Sequence, residues 1–162
     1  ECFMMNTILQ ILADNARLTN EQLAAMTGKT TVEVAQEIDR LQREGIIKGY
    51  KAIVDWDKTD RSLCLARIEL KVTPKSGMGF DEIAGTIAQF DEVQEVYLMS
   101  GGYDLALEVA GKTFKDVALF VAHRLAPLES VQSTATHFVL KKYKEQGVVT
   151  VDTDQDMREV TF

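Results

Sequence analysis

The sequence predicts an α+β fold: an N-terminal winged helix-turn-helix followed by a ferredoxin-like βαββαβ domain. Three observations predict it. Two capping boxes, Thr19-Asn20-Glu21-Gln22 and Thr30-Thr31-Val32-Glu33, open two helices separated by a short Gly-containing turn, the spacing a helix-turn-helix needs. Beyond residue 63, strand-like and helix-like runs follow in the order β-α-β-β-α-β. Between the two patterns lies a polar connector, Asp55-Trp56-Asp57-Lys58-Thr59-Asp60-Arg61. The reading is therefore a head at 1–55, a linker at 56–62, a second domain at 63–142, and a C-terminal strand with an acidic tail at 143–162.

Each element follows from local pattern. Met5, Ile8, Leu9 and Leu12 recur at i, i+3, i+4 and i+7, an amphipathic helix. Leu23, Ala24 and Met26 mark the second helix, which stops at Gly28. The third buries Val34, Ile38 and Leu41 and ends at Gly45, a residue suited to the left-handed position after a helix. Ile46 to Val54 reads as the strand of a wing. In the second domain, Leu63 to Val72 is a strand, Pro74 to Gly79 a loop, and Phe80, Ile83, Ala84, Ile87 and Ala88 a helix. Val93 to Met99 and Leu105 to Val109 are strands, and Gly101-Gly102 between them reads as a tight hairpin. Phe114, Val117, Ala118, Phe120, Val121 and Leu125 form a helix, Val131 to Leu140 a strand, and Gly147 to Val151 a further short one. Two helices on one face of a four-stranded sheet leave the other face to be covered, most simply by a symmetric dimer.

Composition narrows the class. The chain has 162 residues, 46% apolar, with a net charge of −7. Its apolar runs are too short to span a bilayer, and no basic-then-apolar signal segment opens it. Cys2 and Cys64 form no disulfide or CxxC pattern, which fits a reducing, cytoplasmic location. An acidic chain is not an indiscriminate polyanion binder.

The helix-turn-helix spacing points to double-stranded DNA. Opposite the buried stripe of the third helix lie Val32, Gln36, Asp39, Arg40 and Arg43. Free N–H groups near Thr30 and Thr31 would meet a phosphate. Gln36 suits an adenine edge, Arg40 guanine or phosphate, and Val32 a thymine methyl. Lys48 and Lys51 would reach the phosphate backbone, and Asn20 and Arg43 complete the candidate set. The competing reading is a solvated face of mixed charge. Residues 1–55 carry six basic and eight acidic side chains, so a single head is expected to bind weakly and with strong salt dependence. Several heads in one assembly would compensate.

A second candidate site is the turn Met99-Ser100-Gly101-Gly102-Tyr103-Asp104. Backbone amides, a phenol and a carboxylate on one turn could hold a small zwitterion; a hairpin with an edge tyrosine is the plainer reading. Other chemistry is sparse. His123 and His137 lack zinc-ligand spacing, and no G-x-S-x-G, P-loop or G-x-G-x-x-G occurs. Lys141-Lys142-Tyr143-Lys144 reads as a solvated strand exit, and the pairs Asp81-Glu82 and Asp91-Glu92 as solvated helix ends or loops. No catalytic activity, metal or cofactor is expected.

Three stretches together resemble the Lrp/AsnC (leucine-responsive / asparagine-operon, feast–famine) family of transcription regulators: Asn15 to Ala24, Ile38 to Tyr50, and Ser100-Gly101-Gly102-Tyr103-Asp104, which matches the family's G-x-Y-D turn. The resemblance implies a DNA-binding head joined to a ligand-binding βαββαβ domain. It also implies dimers that assemble further, up to octamers, and an amino-acid effector held between subunits. By position it carries effector binding to Gly101, Gly102, Tyr103 and Asp104, and to Thr134, Ala135 and Thr136 of the family's late T-x-T segment. Amides of Gly101 and Gly102 would then hold an α-carboxylate. Asp104 would face the α-ammonium or, alternatively, pair with a lysine. The chain departs from the family at Glu37, where relatives commonly carry a base; Glu37 would repel phosphate or pair with Arg40 one turn on. Met5 stands where an acid is usual, and Gly102 where Asp or a larger residue is frequent. A metabolite-sensing protein with a weakened DNA head is the alternative function, and a small ferredoxin-like enzyme a more distant one.

Overall fold

The computed structural model describes residues 7–61, 63–74 and 79–151. Met5, Cys2, the acidic tail and part of the loop after Pro74 lie outside them. The chain divides into two compact units, Glu1–Ala52 and Ile53–Phe162.

The first unit is three helices, α1 (Thr7–Asp14), α2 (Asn20–Thr27) and α3 (Thr31–Arg43). Both sequence-read capping boxes form. The Thr19 side chain accepts from the Gln22 N–H and that of Thr30 from the Glu33 N–H, while each N3 side chain reaches back to the cap amide. Gly28 and Gly45 end α2 and α3 at φ +69° and +68°. After α3, the Ile46 N–H reaches Leu41 O at 2.9 Å and the Gly45 N–H reaches Gln42 O at 3.0 Å. These two bonds are a Schellman closure, which needs the left-handed residue that glycine supplies without strain. Ile8, Leu12, Leu23, Ala24 and Val34 form the core, with Ile11, Leu18, Ile38 and Ile47 packed on it. Residues 46–54 are not a strand. Their alternation is strand-like, but a strand needs a laddered neighbour, and here Ile47 anchors on the core while Gln42 Nε2 donates to Tyr50 Oη at 3.4 Å.

The second unit begins with a short 3₁₀ turn, Trp56–Lys58. Then follow β1 (Cys64–Val72), α4 (Phe80–Ile87), β2 (Val93–Leu98), β3 (Leu105–Gly111), α5 (Phe114–Phe120) and β4 (Val131–Phe138). The helix of α5 runs on as a π-helical turn, Val121–Leu125. The four strands are antiparallel in the order β2-β3-β1-β4, the expected ferredoxin-like topology. Strand alternation decides the core: Ala66, Ile68, Leu70 and Val72 from β1 and Leu105, Leu107 and Val109 from β3 are buried with Ile83 and Ile87 of α4 and Val117, Phe120, Val121 and Leu125 of the second helical segment. The intervening residues Arg67, Glu69, Lys71, Ala106, Glu108, Ala135 and His137 fall on the other face. Phe90 packs edge-on against Phe120 at 5.6 Å.

Two expectations about turns are corrected. β2 and β3 are joined by a six-residue loop, 99–104, rather than a tight Gly-Gly turn. Only Gly101, at φ +147°, adopts a backbone that favours glycine. The segment read as one strand at Gly147 to Val151 is a small hairpin of β5 (Lys144–Glu145) and β6 (Val148–Val149), turning at Gln146 and Gly147. Among the described residues no helix is long and apolar enough to cross a membrane, and no group of His, Cys, Asp and Glu is arranged to hold a metal.

Candidate functional site

On α3 the helical period sets an exposed outer row and a partly exposed flanking row. Val32, Gln36, Asp39 and Arg43 lie opposite buried Val34 and Leu41. Val32, at 65% exposure, is an apolar side chain that nothing in the head covers. Glu33, Glu37, Arg40 and Glu44 form the flanking row, at spacings of four, three and four.

The flanking row is paired within itself. Arg40 Nε and Nη2 donate to the two oxygens of Glu37 at 2.9 and 2.8 Å, and Nη1 donates to Glu44 Oε2 at 2.6 Å. Hydrogen bonds from Arg40 to Glu37 first, and to Glu44 second, push its guanidinium pKa further up. The pairing of Glu37 with Arg40, one of the two outcomes read from sequence, is thus the one that forms. It alters the expected role of Arg40, whose guanidinium already has carboxylate acceptors.

The expectation of a free amide at Thr30 is also corrected. The Thr30 N–H donates to Glu33 Oε2 at 2.7 Å, and the Thr30 hydroxyl donates to the same oxygen at 2.8 Å. Those hydrogen bonds, the backbone one first, hold the Glu33 carboxyl below its ordinary pKa. The capping box that defines the helix start places a carboxylate on the amide at which a phosphate was expected. Thr31 and Val32 belong to the same first turn, Asn20 opens α2, and Lys48 and Lys51 are exposed beyond α3.

In the second unit, the sheet gathers residues far apart in sequence. Leu70 of β1 pairs with Leu105 on one side and Thr134 on the other. The 99–104 loop and the Thr134-Ala135-Thr136 segment therefore flank the same end of β1. Thr134 and Thr136 lie in register with Leu70 and Ile68, on the helix-covered face, whereas Ala135 pairs with Glu69 on the open face. A depression of about 250 Å³ opens there, lined by Glu69, Lys71, Gly102, Tyr103, Ser133, Thr134 and Ala135. Four of these were expected. Met99, Ser100, Gly101, Asp104 and Thr136 do not line it.

Glu69, Lys71 and Ser133 were missed. Their only sequence signal is strand alternation, which puts Glu69 and Lys71 on the face opposite Ile68 and Leu70. Together they offer an ammonium and a carboxylate a few residues apart. Glu69 Oε1 also lies 3.7 Å from His137 Nε2.

Asp104 has a structural partner. Its Oδ2 accepts from the Val72 N–H at 2.9 Å, its own N–H donates to Leu70 O at 2.9 Å, and its carbonyl accepts from the Met99 N–H at 2.8 Å. These bonds tie the loop to β1 where the β1–β4 register shifts between Lys71 and Val72. The carboxylate takes a backbone amide beyond the last β1–β3 pair, neither facing the depression nor pairing with a lysine.

A larger groove, about 720 Å³, lies at the opposite end of the sheet, lined in part by Trp56, Cys64, Phe114, Leu140 and Lys142. None of the expected effector residues lines it. Burial pushes the Cys64 thiol above its ordinary pKa.

Comparison with known proteins matches both units. A winged helix-turn-helix DNA-binding family matches residues 7–48, and the Lrp/AsnC ligand binding domain matches residues 65–149. The chain is 49% identical over 152 residues to the uncharacterized HTH-type transcriptional regulator YugG of Bacillus subtilis, covering 93% of this chain and 92% of that one. It is 30% identical to the HTH-type transcriptional regulator FL11 of Pyrococcus horikoshii, over 85% of this chain and 88% of the relative. A transcriptional regulator from Neisseria meningitidis, solved as its complex with L-Met, shares the fold with a TM-score of 0.68 at 24% identity, over 87% and 90% of the two chains. The capped helix pair, the β2-β3-β1-β4 sheet and these matches lead to one conclusion: the chain belongs to the Lrp/AsnC family of DNA-binding transcription regulators.

Proposed function

We propose that this regulator acts in the cytoplasm as a homodimer that assembles further, up to octamers, and that a free amino acid gates its binding to DNA. The observation that carries the effector half is the depression beside β1, where Lys71 and Glu69 accompany Gly102, Tyr103 and Ser133. A zwitterion suits this set: Lys71 for the α-carboxylate, Glu69 for the α-ammonium, and the Ser133 and Tyr103 hydroxyls for remaining polar atoms. Asp104, with Met99, Ser100 and Gly101, shapes the loop, and Thr136 backs the strand. The L-Met complex of the Neisseria meningitidis regulator makes amino acids the first probes to try.

DNA is read by Val32, Gln36 and Arg43 on the outer row of α3. The Thr31 and Val32 amides and Asn20 position the helix, and Lys48 and Lys51 meet phosphates. Dimers cover the open face of the sheet and present two heads to a pseudo-palindromic site. An amino acid acts only by binding one assembly better than another.

The test is fluorescence-anisotropy binding to the protein's own upstream DNA and a scrambled control, across salt, with single amino acids added. Selective, salt-dependent binding that one amino acid shifts is expected. Lys71→Ala should abolish that shift while leaving effector-free DNA affinity within about twofold, a change of about 0.4 kcal/mol. Quenching of Trp56, the chain's single tryptophan, by the amino acid with an intact response in Lys71→Ala would instead put the effector in the larger groove. Absence of selective binding at low salt would overturn the DNA half.

A further inference from the structure

We propose that Glu37 and Glu44 are specificity-determining residues that hold Arg40 away from phosphates and so suppress sequence-independent DNA binding. The inference rests on the DNA-binding role of α3 and adds a brake to it.

The Arg40 guanidinium donates three charge-assisted hydrogen bonds, two to Glu37 in the side-on bidentate geometry and one to Glu44. Short bonds in bidentate geometry fix the direction of a guanidinium; at this half-exposed position they orient Arg40 more than they stabilise the helix. Two guanidinium N–H groups remain outside these bonds, but a phosphate that reaches them comes against the Glu37 and Glu44 carboxylates, and one that takes the bonded N–H groups must displace a carboxylate. With Glu33 at the head of the same row, the four side chains sum to two negative charges. The row lies about a quarter turn round α3 from Val32, Gln36 and Arg43.

The two rows therefore do different work. Phosphate attraction is the main source of non-specific affinity and follows net charge. Gln36 is neutral, so a base-edge contact from it is not weakened in the same way. Lowering the charge of the flanking row lowers binding to every sequence, while the discrimination carried by the outer row remains. Salt alone would not separate these effects, but removing the carboxylates does.

The full chain is compared with the variants E37Q/E44Q and E37Q/E44Q/R40Q. Binding to upstream and scrambled DNA is measured across salt. Glutamine keeps the size of each side chain and removes its charge, and circular dichroism with a thermal midpoint confirms that each variant is folded. The double variant should bind both DNAs several-fold more tightly, with the log–log salt slope steeper by about one. The triple variant should lose that gain. Equal affinity and slope in wild type and double variant would overturn the brake. So would a gain that survives in the triple variant, because repulsion by the carboxylates alone would then explain it. If no protein binds either DNA at low salt, the DNA-binding role fails and the brake fails with it; failure of the brake alone leaves wild-type binding intact.

Discussion

Asp104 illustrates how one side chain can define a loop. Its carboxylate accepts the Val72 amide at the point where β1 changes register against β4, and its main chain bonds Leu70 and Met99. Removing it leaves a part-buried N–H without its acceptor. Asp104→Ala should lower stability by about 1–3 kcal/mol, measured by urea unfolding, with Asp104→Asn losing less because an amide oxygen still accepts. If Asp104→Ala unfolds like wild type, the side chain does not pin the loop. The charge pattern read in sequence drew Asp104 toward a ligand. Its actual partner is a backbone group 32 residues away in sequence, which no local pattern announces.

The helix starts lie at the other extreme of legibility. A capping box involves four consecutive residues, so Thr30 and Glu33 specify the start of α3 from sequence alone. The same box makes the head sensitive to acid. Hydrogen bonds from the Thr30 amide and hydroxyl hold the Glu33 carboxyl below its ordinary 4.5. A carboxyl lowered on folding stabilises fully above its unfolded pKa, and this contribution is lost as pH falls through the folded value. The helical signal should therefore weaken below about pH 4.5, and Glu33→Gln should flatten that part of the profile. Thr30→Ala should cost about 1 kcal/mol at neutral pH. An unchanged acid profile in Glu33→Gln would mean that other carboxylates govern it. The strand expected at 46–54 failed for the converse reason: alternation shows which residues suit a strand but supplies no partner for its amides.

At the scale of the whole molecule, the open face of the sheet is where assembly is expected. Ala106 lies on this face, on an inner strand at the end next to the 99–104 loop, paired with Glu69 on β1 and Tyr97 on β2. If a second copy covers this face, Ala106→Arg should convert the dimer to monomer in sedimentation equilibrium while the circular dichroism spectrum stays that of a folded chain. A dimer that persists at unchanged affinity would place the interface elsewhere.

The sequence by itself determined the capped helix starts, the succession of elements along the second domain and the buried stripes. Each depends on contacts within a few residues or on a period of 2 or 3.6, and these survive in a linear string. It also carried the family resemblance, through three short stretches in the right order. Tertiary structure decided the rest. It brought Glu69 and Lys71 to the 99–104 loop because β1 lies between β3 and β4. It turned Asp104 toward a backbone amide at the end of a ladder. It closed Arg40 between Glu37 and Glu44, a pairing the spacing allowed but left beside phosphate repulsion as an alternative. In each case the side chain's role depends on which acceptor or donor is nearest in space. The chain order alone leaves that open, since one residue has several possible partners and only packing selects among them.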